Sequence, residues 1–388
     1  MKNIPLAFIT NMCVGLLLHA LTNTVIAQSP CNDETIMNTK GHWTKRSDAI
    51  VFPDSSLPRS QYPQLNIRID KMQKILQAAY PDPKGIEAGW YRDIYGNALV
   101  RGGPMPYNLT ALFLPYFCNG EKIEKGGETS TWFYVYANRF NWFMEYDDNF
   151  SIHKNPVYLL TKKVGEISGY PVYEGINNRA SNTGTYYSRA VIITRPGNSP
   201  YVPVTRKQYL QLYLKLKEKR RAADILMDEK MPERTEAEQE TAKQKGLENA
   251  LKGASPNRIE GRKATYLERY RTDKQLKEEQ LAKTNKRYDE EMKPAKDLLN
   301  NMSDDEAKMP AIVDSDYYSK FKKFSTDEEG GQMMVTLNPD YFDSKLPKYV
   351  PQFLIVYWRW EKRKATENFK DQIEKNFDFN ALKEMIDK

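Results

Sequence analysis

Residues 206–301 restrict what this chain can fold into more than any other stretch. They open on a capping box, Thr205-Arg206-Lys207-Gln208, in which the Thr hydroxyl accepts from the Gln backbone N–H and the Gln side chain reaches back. Val204 and Tyr209 occupy the positions of a hydrophobic staple. Behind them Tyr209, Leu212, Tyr213, Leu216, Ala223, Leu226 and Met227 recur at helical spacing. Pro232 ends or kinks this helix. Residues 233–252 are polar and helix-permissive, and the Gly, Ser, Pro and Asn of 253–261 break the chain. A second long helix is predicted from about 262 to 292, with 294–300 as its extension beyond Pro294. Its stripe, Tyr266, Tyr270, Leu281, Tyr288 and Met292, is too thin to bury against a sheet and suits a two-helix seam. The expectation is an antiparallel, coiled-coil-like helical hairpin inserted into a larger body.

Charge sets this segment apart. It holds 24 Lys and Arg against 18 Asp and Glu, whereas the rest of the chain beyond residue 27 holds 33 of each. The flanks read differently. Residues 28–63 are an irregular lead-in, and 66–80 has helical spacing through Ile67, Met72, Ile75, Leu76 and Ala79 until Pro81 and Pro83 stop it. From 90 to 194, aromatic and β-branched residues cluster between Gly, Asn and Pro. That pattern predicts strands at 90–95, 111–117, 130–137, 142–146, 157–161, 169–173 and 186–194. Residues 147–149 and 196–198 read as turns. Beyond the arm, 332–337 and 352–360 read as strands, and 367–376 and 380–387 as helices. The run 353–358 is apolar on both faces, as in a central strand covered on both sides. Strands in sequence without intervening helices argue for a largely antiparallel sheet. The predicted class is α+β, with body segments 64–205 and 302–388 and the arm 206–301 between them.

The N-terminus carries Lys2, an apolar stretch densest over 13–21, and a small-residue exit at Val25 and Ala27. This is the pattern of a cleavable secretory signal peptide over 1–27. Its ending resembles those of exported envelope proteins of some Gram-negative bacteria, a resemblance confined to the export segment. No later run of about 18 apolar residues follows, so no transmembrane segment is expected in the mature chain. The expected location is the periplasm or the exterior. Cys31 and Cys118 are then expected to form a disulfide, as paired cysteines do in an oxidising compartment.

Catalytic signatures are missing. There is no G-x-S-x-G, H-E-x-x-H, P-loop or G-x-G-x-x-G. Two cysteines and two histidines, scattered, do not make a closed zinc site, and no cofactor is expected. Two surfaces stand out. The basic run 215–221, with Tyr209, Tyr213, Arg220 and Arg221, is the candidate contact for an envelope protein partner. Export argues against nucleic acid, and acidic neighbours such as Asp224 and Asp228 would neutralise the run if it is only a solvated face. Trp132, Tyr134, Tyr136 and Trp142 form the second candidate, a platform for a glycan or small ligand, with ordinary sheet packing as the alternative. The leading expectation is a non-enzymatic exported protein that docks a partner through the arm. The alternatives are a glycan or small-ligand module and a hydrolase built on His42 or His153.

Overall fold

The computed structural model of the chain describes residues 31–48, 57–94, 98–99, 103–140, 144–152, 155–175, 180–181, 184–314 and 320–388. The expected signal peptide, Trp142 and His153 lie outside the described residues. The fold is α+β. Two compact units emerge, one from the residues up to 143 with 164–196 and 342–388, the other from 144–163 and 197–341.

The first unit is built on a ten-stranded sheet. Its strands are β1 (Trp43–Lys45), β2 (Ile86–Ile94), β3 (Tyr107–Asn119), β4 (Lys122–Lys125), β5 (Trp132–Ala137), β8 (Lys163–Ile167), β9 (Tyr170–Glu174), β10 (Ala180–Ser181), β11 (Gly184–Ile193) and β15 (Leu354–Glu361). The order is β1-β2-β3-β5-β15-β11-β9-β8, with β4 on β3 and β10 on β11. β1 runs parallel to β2, and the other pairs in register are antiparallel. Four helices belong to this unit: α1 (Asp33–Asn38), α2 (Tyr62–Ala79), α8 (Lys364–Asn376) and α9 (Phe379–Lys383). Alternation along the strands sends Leu109, Ala111, Phe113, Phe133, Val135, Val356 and Trp358 into one core cluster with Leu65, Ile69, Met72, Leu76, Phe369 and Ile373 of the helices. β15 sits between β5 and β11, and Ile355 and Tyr357 on its other face are buried as well. The doubly covered central strand predicted from its sequence is what the fold contains.

Three local expectations need correction. Ile67 is 60% exposed, because the helix starts at Tyr62 and its buried stripe runs through Leu65, Ile69, Met72 and Leu76. The lead-in is not wholly irregular. Asn32 and Thr35 form a capping box that starts α1, and β1 adds to the edge of the sheet. Residues 147–149, expected as a turn, lie within a strand whose register shifts between Asp147 and Ser151, as at a bulge.

The second unit has a five-stranded sheet of β6 (Met144–Ile152), β7 (Asn155–Leu160), β12 (Tyr201–Pro203), β13 (Ile312–Val313) and β14 (Gln332–Leu337). The order is β12-β14-β7-β6, with β13 on β14. Strands expected to share one sheet therefore divide between two. The arm belongs to this unit and comprises α3 (Arg206–Glu229), α4 (Glu236–Leu251), α5 (Ile259–Arg269) and α6 (Asp273–Asn301), followed by the short α7 (Asp304–Lys308). The single long second helix of the sequence reading is in fact two, separated at Tyr270–Thr272, where Thr272 and Gln275 form a fresh capping box. Pro294 is carried inside α6.

Candidate functional site

The arm divides into an inner and an outer helical pair. In the inner pair, the contacts of α3 descend α6 as α3 ascends. Tyr213 donates to the Glu291 carbonyl at 3.3 Å, Arg221 to Asp289 at 2.9 Å, and the Asp224 carboxylate accepts from Tyr288 at 2.7 Å. The Asp228 carboxylate accepts from Thr284 at 2.7 Å. That progression makes the pair antiparallel. Its inner end is core. Tyr209, Leu210, Tyr213 and Leu216 pack with Val157, Leu159, Ala295, Phe321 and Phe324, and burial of each such side chain contributes about 2 kcal/mol.

Tyr209 and Tyr213 are therefore corrected from contact residues to core residues, both fully buried. The Tyr213 hydroxyl also accepts from the Phe321 backbone at 3.2 Å. The basic run is partly spoken for. Lys217 is buried against Glu291, and Arg221 is clamped by Asn285 and Asp289. Their partners come from α6, not from the acidic residues of their own helix. Arg220 is half-buried. A partner approaching this run would meet Lys215 and Lys219, which are exposed, beside charges already engaged.

The outer pair is a different kind of object. Neither α4 nor α5 has a buried residue. Two tyrosines hold the helices together: Tyr266 donates to the Lys243 carbonyl at 3.0 Å and Tyr270 to the Gln239 carbonyl at 3.1 Å. Gly246 makes the seat, since a Cβ there would fall 2.2 Å from the Tyr266 hydroxyl oxygen. At the base of the pair, Arg234 grips Asp273 through its guanidinium and its backbone N–H, and Lys277 meets Glu233 at 3.0 Å. Those hydrogen bonds from Arg234 lower the Asp273 carboxyl to a pKa of about 2. The chain thus leaves and re-enters the inner pair at neighbouring points. Exposed Leu226, Met227 and Met231 lie just before this junction, and Ile259, Leu267 and Leu276 beyond it.

No family model, curated protein or solved structure matches this chain.

The aromatic row on β5 is a stack of cards. Trp132 and Tyr134 lie 5.9 Å apart with planes inclined by 13°, and Tyr134 and Tyr136 lie 5.2 Å apart at 9°. Tyr134 is thus covered on both faces by its neighbours. Tyr136 is fully buried. A sugar platform needs an open ring face; the row ends at Trp132 and at the fully buried Tyr136, which leaves the outer face of half-buried Trp132. These residues are sheet-packing residues first.

Among the described residues no three metal-ligating side chains gather, and the described histidine offers weak chemistry. His42 is exposed, its Nδ1 3.7 Å from Glu87. The hydroxyl nearby is Tyr116, which donates to Glu87 at 2.8 Å. Burial, the hydrogen bond to Glu87 and that carboxylate's charge push the Tyr116 phenol up to about 12, the wrong direction for a nucleophile. The Cys31–Cys118 disulfide is formed and ties α1 to the far end of β3.

Proposed function

We propose that this is an exported, non-enzymatic protein that docks a protein partner through the outer helical pair of its arm. One observation carries the reading. Forty or so residues, roughly 232–271, are folded into a defined pair of helices that contributes no residue to either hydrophobic core. A helix pair of this length gains little from its own seam, so its retention in the chain points to something outside. Export is supported by the signal-like segment 1–27 and by the disulfide, which persists in oxidising compartments. No described helix is long and apolar enough to cross a membrane.

The junction supplies the test. Arg234 and Asp273 are hydrogen-bonded neighbours, so residues 235–271 can be replaced by a short Gly-Ser link without pulling on the inner pair. Crosslinking in the producing cell, read residue by residue by mass spectrometry, is expected to place partner crosslinks on Lys243, Lys245, Lys252 and Lys263. The shortened chain is expected to be exported, folded and stripped of that partner. Crosslinks confined to other surfaces, or a partner retained by the shortened chain, would overturn the reading. The N-terminal peptide of the exported protein is expected to begin at or near Gln28.

A further inference from the structure

The outer pair carries a shallow, open recess at the end remote from its junction with the inner pair. A concavity of about 640 Å³ is lined by Asn257, Arg258, Arg262, Thr265, Tyr266 and Arg269. Arg262 and Arg269, two turns apart on α5, share one flank of the helix with the Tyr266 ring, and Arg258 caps the helix start beside them. Between Lys252 and Arg271 there are six Lys and Arg and only two carboxylates, Glu260 and Glu268. Neither carboxylate lines the recess. Among the described residues none of the three arginines forms an ion pair, whereas Arg271 is paired with Glu279, and Arg206, Arg221 and Arg234 are paired as well. Arg262 makes only long contacts, 3.4 and 3.5 Å, to the carbonyls of Ala250 and Lys252.

Three guanidiniums facing one recess without a counter-charge repel each other and gain most from an anion. Their planar forks match carboxylates in bidentate fashion. We infer that this recess receives an acidic peptide segment of the docked partner, a step that rests on the docking reading above and names the chemistry the partner presents. A lipid surface fits less well. The exposed aliphatic side chains on α5 are Ile259 and Leu267 at 37% and 43%, too little to enter a bilayer. An acidic peptide can place carboxylates inside the recess and lay its backbone along Thr265 and Asn257.

The probe is a fluorescein-labelled ten-residue polyglutamate, with anisotropy read on the full chain at low and physiological salt. Binding is expected to weaken with added salt. The R258Q/R262Q/R269Q variant is expected to bind at least about tenfold more weakly. K219Q/K274Q/K283Q, which removes the same charge from exposed positions of the inner pair, is expected to bind within about twofold of the parent. All six positions are exposed, and circular dichroism checks that helix content is kept. Equal weakening by both variants, or no peptide binding, overturns the inference. So does sedimentation with phosphatidylglycerol vesicles through the same arginines when the peptide is not bound. The two readings separate in the cell. If R258Q/R262Q/R269Q keeps the crosslinks that the 235–271 deletion loses, docking through the outer pair stands and the acidic segment falls.

Discussion

Asn138 is the residue on which the first unit turns. It closes β5 in a left-handed conformation, φ 56°, and is fully buried. Its amide donates to the carbonyls of Met105 and Val350 at 3.0 and 3.1 Å, and its oxygen accepts from the Gln352 N–H at 2.7 Å. Three buried backbone groups depend on one side chain, and Asn is among the few residues that tolerate this backbone. N138A is expected to cost about 3 kcal/mol in denaturant unfolding, with N138G recovering only the backbone share. Tyr116 gives a spectroscopic counterpart. Its phenolate absorbance is expected to appear near pH 12, and E87Q to move it towards the ordinary value near 10. The sign follows from the raised pKa: the stability that the neutral phenol contributes is complete below pH 10 and is lost as pH rises from 10 through 12.

At the scale of elements, the arm is decided by capping boxes and by one glycine. Thr205–Gln208, Thr235–Glu238 and Thr272–Gln275 each start a helix by the same reciprocal hydrogen bonds. T272A is expected to destabilise the start of α6 by about 1 kcal/mol, measured as lost amide protection over its first turn. Gly-to-Ala in a helix interior ordinarily gains about 1 kcal/mol. G246A is expected to forfeit that gain, because its Cβ displaces the Tyr266 hydroxyl from the Lys243 carbonyl. The double variant G246A/Y266F should recover only part of it, since the ring carbon Cζ would still lie 2.9 Å from the added Cβ, and hydrogen exchange on α4 reads the difference. The junction responds to acid. Asp273 is held low by Arg234, so its contribution is complete above pH 4 and is lost as pH falls from about 4 towards 2. D273N is expected to abolish that dependence in exchange rates around Arg234. The first of the three boxes was legible as a motif. The other two carry the same letters, but the polar run before the one and the even tyrosine spacing before the other conceal a helix start.

For the molecule as a whole, the strongest covalent constraint is Cys31–Cys118, across a sequence separation of 87 residues. Its replacement by serines is expected to lower the stability of the first unit by roughly 2–4 kcal/mol, and to release α1, as read by a shifted thermal transition and by exposure of the N-terminal segment to protease. The charge reading holds at this scale too, with a refinement. The net positive charge belongs to the arm, and much of what the inner pair carries is matched across its seam, as by Glu291, Asp289 and Asp224. The excess sits in two places: residues 206–230, with eight Lys and Arg against four Asp and Glu, and residues 252–271 at the outer end, with six against two, around Arg258, Arg262 and Arg269.

By itself the sequence determined whatever is settled by neighbours in the chain. The Thr205 helix start, the class of alternating strands, the double apolar face of 353–358 and the pairing of two cysteines all follow from local chemistry or from elimination. Only the tertiary structure decided what depends on a distant partner. Tyr209 and Tyr213 read both as an apolar stripe and as partner contacts until Phe321 and Phe324 cover them, and the partners of Arg221 are Asn285 and Asp289 of another helix instead of the acidic residues of its own. Trp132, Tyr134 and Tyr136 read as either a platform or ordinary sheet packing, and the stacking of their rings decides for packing. Periodicity gives each side chain a direction. What lies in that direction is set by the packing of elements far apart in the chain.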